Sequence, residues 1–72
     1  MEIKKDLGTY IKYNRMIKGM TIDEMASRLG IASGTLRYYE KNQRNPSIKV
    51  LKKIALLLKL NFKTLLDLKI GE

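Results

Sequence analysis

Apolar residues recur along this chain at intervals of three and four positions, which is the spacing of an amphipathic helix. No segment alternates between apolar and polar residues for long enough to predict a strand. The spacing predicts five short helices, from about residue 4 to 18, 22 to 29, 32 or 33 to 39 or 40, 48 to 58 or 59, and 62 to about 68. Five helices on this scale predict a compact all-α domain.

Local signals mark the ends of these helices. Gly19 follows the first helix, as a C-terminal glycine does. Thr21 and Glu24 form the capping-box pattern, in which the hydroxyl and the carboxylate each bond to a backbone N–H of the first turn. The polar loop 41–46 ends in a proline, which cannot continue a helix, and Ser47 behind it is a good N-cap for the fourth helix.

The inward positions of these helices form the predicted core, which comprises Leu7, Tyr10, Ile11, Ile17, Met25, Ala26, Leu29, Leu36, Tyr39, Leu51, Ile54, Ala55 and Leu58. Leu56 is a surplus apolar residue on the fourth helix, and Leu66, Leu68 and Ile70 continue the apolar character beyond the expected core. Exposed apolar residues that cluster mark a partner surface. We expect these four residues to form the interface of a homodimer, because a two-fold interface uses one patch on both subunits.

With 72 residues, the chain has room for one domain, 1–72, with a thin core. It contains no cysteine and no histidine. This inventory excludes disulfides and nucleophilic catalysis by a Cys–His or Ser–His pair, and it leaves zinc only carboxylate ligands. The acidic residues form no paired-carboxylate pattern, so we expect neither an enzyme nor a cofactor.

The charge of the chain indicates a polyanionic partner. Fifteen Lys and Arg residues against seven Asp and Glu residues give a net charge of +8, which favours nucleic acid or an anionic membrane surface. The longest apolar-rich stretch, 51–68, is interrupted by lysines, so it does not reach the roughly 20 apolar residues of a membrane span. Its leucines fit a core better than a membrane surface. The N-terminus lacks the apolar segment of a signal peptide, which predicts a cytoplasmic location.

The second and third helices, with the tight turn between them, match a helix-turn-helix unit over about residues 21–40. Gly30 allows the reversal, because glycine adopts a positive φ without steric cost. Ala26 permits close crossing of the two helices, and Ile31 fills the core behind the turn. The outer face of the third helix is then free to enter the major groove of DNA.

From about Leu7 to Leu66 the sequence resembles the Cro/C1-type (XRE) family of bacterial and phage regulators. The residues that carry the resemblance are Leu7-Gly8, Ile11, Arg15, Lys18-Gly19-Met20-Thr21, Met25-Ala26, Leu29-Gly30-Ile31, Leu36, Tyr39-Glu40, Pro46-Ser47, Leu58 and Leu65. The resemblance implies a lambda-repressor-like five-helix domain that binds double-stranded DNA in a sequence-specific manner, with helices 47–70 supplying core and dimer contacts.

The same resemblance implies roles for individual residues. Residues of the third helix would contact base edges, namely Ser33, Gly34, Arg37 and Tyr38. Phosphate contacts would come from Thr21 and Thr35, from the loop residues Lys41, Asn42, Gln43 and Arg44, and from Lys49 close behind them. Arg15 and Glu40 would form a structural ion pair between the first and third helices.

Three positions depart from the family pattern. Ile22 stands where a DNA-contacting Gln is frequent, so it either touches a thymine methyl or packs. Ala32 replaces the usual Ser or Thr cap, which predicts that Ser33 caps the third helix. Gly34 offers no side chain, so base recognition depends on Arg37 and Tyr38. The planar fork of Arg37 matches O6 and N7 of guanine, although the same residue in a phosphate contact fits the pattern as well.

These observations predict a small transcriptional regulator, most simply a repressor that binds a palindromic operator as a homodimer. The same pattern also allows a transcriptional activator. The alternative function is an antitoxin-like protein-interaction module that uses the apolar C-terminal patch to bind another protein. No pocket for a small-molecule effector is visible in the sequence.

Overall fold

The computed structural model describes residues 6–70, and the side chains of residues 6–69. Five helices make up the fold: α1 is Leu7–Ile17, α2 Ile22–Leu29, α3 Ser33–Glu40, α4 Ile48–Leu58 and α5 Phe62–Ile70. No strand occurs among the described residues. The predicted all-α class and the five-helix order are confirmed. None of the described helices is long and apolar enough to cross a membrane.

Capping residues set most of these boundaries. The Thr21 hydroxyl accepts a hydrogen bond from Glu24 N at 3.0 Å, and the Glu24 carboxylate accepts one from Thr21 N at 2.9 Å, which completes the predicted capping box. Helix α1 begins later than predicted, because the N-cap Asp6 has an extended backbone and its carboxylate accepts from Thr9 N at 2.7 Å. Helix α5 extends slightly beyond its predicted end near residue 68.

All five helices contribute to one core. Its buried apolar members are Leu7, Ile11, Met25, Ala26, Leu29, Leu36, Leu51, Ile54, Ala55, Leu58 and Leu65. The inward position predicted for Ile17 is wrong, since this side chain is 65% exposed. Ile17 lies two residues beyond the buried Arg15, which rotates it about 200° around the helix axis and away from the core.

A close backbone approach fixes α1 against the end of α3. Gly8 is buried, and a Cβ atom at this position would collide with the carbonyl oxygen of Tyr39 and lie 2.6 Å from that of Glu40. Only glycine leaves room for the two helices to approach this closely. The start of α1 therefore lies directly against the C-terminal end of the helix that is predicted to contact DNA.

Candidate nucleic-acid interface

The helix-turn-helix unit is formed by α2, α3 and the turn between them. Gly30 has φ 74°, in the left-handed region, so the chain reverses at a residue without a Cβ atom. Met25, Ala26 and Leu29 of α2 and Leu36 of α3 are buried where the two helices meet. This packing directs the opposite side of α3 toward solvent.

The outward side of α3 carries one continuous row of exposed residues. Gly34, Arg37, Tyr38 and Lys41 are all exposed, and their spacing of three and four places them on one face of a helix. We call these four residues the α3 stripe. Three of the four predicted base-contacting residues, Gly34, Arg37 and Tyr38, lie in this stripe, and Gly34 contributes only backbone.

Ser33 has a different role from the one predicted. The N-cap of α3 is Ala32, without a side-chain cap, so the prediction that Ser33 caps the helix is wrong. The Ser33 hydroxyl instead donates to the Asp23 carboxylate at 2.5 Å. This bond joins the first turn of α3 to the first turn of α2, and Ser33 is partly buried there. Its contact with a base stays a prediction.

The loop behind α3 places another cation, Arg44, beside the two cations of the α3 stripe. The guanidinium carbon of Arg44 lies 5.8 Å from the centre of the Tyr38 ring, within the range of a cation–π contact. Gln43 lies beside this pair at a shallow surface depression. Tyr38 and Arg44 are thus in contact, a relation that is not evident from the sequence because the two residues are separated by a loop.

Asn42 connects the loop to the first helix. It has φ 59°, which asparagine tolerates better than most residues, and its side-chain oxygen accepts a hydrogen bond from Gly8 N at 2.9 Å. Hydrogen bonds from Thr9, its backbone first, and from the Asn42 side chain lower the pKa of the Asp6 carboxyl. The Asn42 side chain thus contacts the start of α1, and its predicted contact with phosphate stays a prediction.

Arg15 and Glu40 form the ion pair between α1 and α3. Arg15 Nε donates to Glu40 Oε2 at 2.8 Å, a second guanidinium nitrogen donates to Oε1 at 3.2 Å, and the third donates to the carbonyl of Met20 at 2.8 Å. Both residues are only 8% exposed. A two-point charged contact of this kind is directional, so it fixes the end of α3 relative to α1.

The remaining predicted contact residues lie around α3. Lys49 is exposed on the first turn of α4, and Thr35 is partly buried on α3. Thr21 is exposed, although its hydroxyl is occupied by the capping box. Ile22 is partly buried and packs against the core, which agrees with the packing alternative. Among the described residues, no group of three or more potential ligands is arranged to hold a metal ion.

The C-terminal side of the domain carries an apolar surface. Leu56 is 80% exposed, and Leu66 is partly buried. Leu68 is partly buried and packs against the core, so it is less separate from the core than predicted, and its place in a dimer interface stays a prediction. The side chain of Ile70 lies outside the described residues.

The neighbours of Leu56 are not evident from the sequence. Leu60, Phe62, Ala55 and Lys52 line a groove of about 340 Å³ next to it. The Lys52 ammonium lies 5.9 Å from the centre of the Phe62 ring. Leu60 and Phe62 flank the junction of α4 and α5, where the change of helix interrupts the pattern that would have revealed them.

Comparison with known proteins gives one consistent result. A family model described as helix-turn-helix matches residues 11–65. The HTH-type transcriptional regulator SinR of Bacillus subtilis strain 168 is 41% identical over 62 residues, which cover 85% of this chain and 56% of SinR. The SinR of Bacillus licheniformis is 39% identical over the same length. The chain thus spans about half the length of these relatives.

Solved structures of the relative show the same fold. A crystal structure of SinR, the master regulator for biofilm formation, in complex with DNA matches with a TM-score of 0.77 at 39% identity, covering 85% of this chain and 98% of that one. The N-terminal DNA binding domain of SinR from Bacillus subtilis also matches with a TM-score of 0.77 at 39% identity, covering 85% of this chain and 90% of that domain. The match therefore lies in the part of SinR that is described as DNA-binding.

Proposed function

Since the chain belongs to the helix-turn-helix family of Cro/C1-type regulators, we propose that it binds double-stranded DNA through α3 and regulates transcription. The observation that carries this proposal is the α3 stripe, an exposed row on a helix whose opposite face is buried. The likeness of the chain to a SinR structure solved with DNA supports the same role.

In the proposed complex, α3 lies in the major groove with the α3 stripe against the base edges. Arg37 is the residue best suited to specify a base, because its two-pronged guanidinium matches the paired acceptors of guanine. Tyr38 lies beside it with its ring against Arg44. The helix has eight residues and is about 12 Å long, so one copy contacts only a few base pairs.

The proposed phosphate contacts surround this helix. Lys41 and Arg44 supply charge on the loop side, with Gln43 between them, and Lys49 supplies charge from α4; all four are exposed. Thr21 and Thr35 are the proposed neutral contacts. Each phosphate that a cation neutralises releases counterions, so affinity falls as salt concentration rises.

We further propose a homodimer on a palindromic operator and repression by blocking access to the promoter. Two copies related by a two-fold axis would place their α3 helices in successive major grooves, roughly 34 Å apart. The strong exposure of Leu56 supports an interface there, and Leu66, Leu68 and Ile70 are its proposed continuation. A weak dimer that DNA tightens is expected, because a small apolar patch barely offsets the entropy of docking.

A titration of mixed-sequence duplex at several salt concentrations tests DNA binding. With about three phosphate contacts per protomer, log K against log salt should have a slope near −5. The absence of binding even at low salt would reject the proposed function and leave the second candidate.

That second candidate is an antitoxin-like protein-interaction module. The apolar groove beside Leu56 and Phe62 favours it, because an exposed apolar surface on a small domain marks a partner site. A module of this kind would show weak DNA affinity that does not depend on the α3 stripe, so the salt titration repeated with Arg37→Ala separates the two functions.

A further inference from the structure

One lysine of α1 lies where two neighbouring contacts force it toward α3. Gly8, Lys12 and Arg15 follow one another at intervals of four and three residues, which places them on one face of the helix. A Cβ atom on Gly8 would lie 2.6 Å from the carbonyl oxygen of Glu40, so the two backbones approach closely here, and the Arg15 guanidinium binds the Glu40 carboxylate. Lys12, between them, therefore lies over the C-terminal end of α3.

At this place the surface forms a cleft of about 260 Å³ between α1, α2 and α3, lined by Lys12, Arg15, Ile22, Arg37, Glu40 and Lys41. The Arg15–Glu40 pair at its base neutralises its own charges. The other ionic groups are three cations, Lys12, Arg37 and Lys41, with no further carboxylate in the lining. The cleft therefore concentrates positive charge that the fold itself does not compensate.

We propose that this cleft binds a phosphate group of the DNA backbone and that Lys12 is a DNA contact supplied by α1. The inference rests on the proposed function, and it extends the interface beyond α3 and its loop to the first helix. Arg37 and Lys41 belong both to the cleft and to the α3 stripe. A duplex that contacts the stripe consequently brings its backbone to the cleft.

Groove dimensions favour phosphate over a base at Lys12. The major groove is about 12 Å wide and an α-helix with its side chains is about 10–12 Å across, so α3 fills the groove. A residue that stands beside α3, instead of on its outward face, then faces the sugar-phosphate wall. Lys12 is exposed, and an ammonium is a point charge suited to phosphate.

A purely structural role for Lys12 makes a different prediction. Cations near the C-terminus of a helix stabilise it through its dipole, and Lys12 lies near the C-terminus of α3. In that role, removal of the charge lowers the melting temperature without changing the salt dependence of DNA binding. In the phosphate role, the salt dependence changes while the melting temperature of the protein stays nearly the same.

The experiment compares Lys12→Gln with Lys63→Gln, which removes the same charge from an exposed position on α5. Binding to a preferred duplex and to a scrambled duplex is measured across a salt series, together with thermal unfolding. Lys12→Gln should weaken both duplexes by a similar factor and make the slope of log K against log salt shallower by about 0.9 per protomer. Lys63→Gln should change the slope much less, and Lys12→Arg should restore it.

The remaining outcomes separate failure of the proposed function from failure of the Lys12 inference. If the wild-type chain binds no duplex, the proposed function fails and this inference fails with it. If the wild type binds and Lys12→Gln has the slope of Lys63→Gln, the inference alone is wrong, and a lowered melting temperature would then assign Lys12 to the dipole of α3. An NMR titration with inorganic phosphate at constant ionic strength adds one arm. Saturable chemical-shift changes at Lys12 and Lys41 without DNA would overturn the proposal that the cleft binds a phosphate of the DNA backbone, and would favour a free anion as its ligand.

Discussion

The junction of α1 with α3 and the junction of α4 with α5 are stabilised by different contacts. At the first, a buried ion pair, a side-chain to backbone hydrogen bond and a backbone approach at Gly8 act together. At the second, the contacts are mainly apolar, with Leu58 and Leu65 buried and Leu56 exposed beside a groove, and the one charged contact described there is that of Lys52 with the Phe62 ring.

This difference corresponds to the two tasks that we propose for the domain. Hydrogen bonds and ion pairs depend on direction, so they hold α3 in one orientation for DNA. Apolar contacts are not directional, which suits a surface that associates with another protein.

The ion pair gives the largest expected effect on stability. Glu40→Ala leaves the Arg15 guanidinium buried without its carboxylate, which should cost about 3–5 kcal/mol of the free energy of unfolding. For a domain of this size, the melting temperature should fall by at least roughly 12 °C. The double variant Arg15→Met with Glu40→Leu removes both charges and should be close to neutral. A single variant that melts within a few degrees of wild type would mean that the pair does not hold this junction.

The close approach at Gly8 should have the next largest effect. Gly8→Ala forces the start of α1 away from the carbonyl oxygens of α3, and overpacking of this kind costs about 1–3 kcal/mol. Gly34→Ala is the matched control, because nothing lies within 4 Å of its added Cβ atom. It should stabilise α3 by up to about 1 kcal/mol. Urea unfolding measures the free energy of unfolding of both variants. Equal effects of the two substitutions would mean that no close approach at Gly8 holds this junction.

Leu56→Glu tests the other junction. Because Leu56 is 80% exposed, the free energy of unfolding should change by only about 0.5 kcal/mol or less. Sedimentation should show that the dimer is lost, with a steep loss of operator affinity and persistent non-specific binding. The control Ile17→Glu adds the same charge at another exposed apolar residue, at the end of α1, and should still dimerise. A Leu56→Glu variant that remains dimeric would place the interface elsewhere.

The smallest expected effect is a pH dependence at the start of α1. The folded state lowers the pKa of Asp6 from its ordinary value of 3.8, chiefly through the Thr9 backbone hydrogen bond. The stability from this group is therefore fully present above pH 3.8 and is lost as the pH falls through the lower folded value. Asp6→Asn should be less stable than wild type at neutral pH, and the difference should shrink in acid, once the pH has fallen below 3.8 and through the lower folded pKa of Asp6. If wild type and Asp6→Asn differ in stability by the same amount at neutral and at acidic pH, the lowered pKa of Asp6 does not contribute to folding stability.

The sequence predicted those features whose signals are local. The capping box at Thr21 and Glu24, the left-handed Gly30 and the N-cap Ser47 each depend on residues within a few positions, and the structure contains all three. The helical spacing also predicted which faces are buried, with an error at Ile17, where the helix continues past its contact with the core.

The features that the sequence did not reveal depend on distant residues. The bond from Gly8 N to Asn42 joins positions 34 residues apart, and the Ser33–Asp23 bond joins two different helices. The Tyr38–Arg44 contact and the cleft at Lys12 likewise exist only once the chain is folded. Periodicity assigns a residue to a face, but it does not say which neighbouring element covers that face.

Selection of binding sites from a random duplex pool measures whether α3 recognises a specific DNA sequence as part of a dimer. The wild-type chain should enrich a palindrome with half-sites roughly 34 Å apart, about one turn of the duplex. Arg37→Ala should lose about 1–3 kcal/mol on that site and relax the preference at one base pair per half-site. A pool without enrichment over its starting composition, or with an Arg37→Ala profile identical to wild type, would contradict the account.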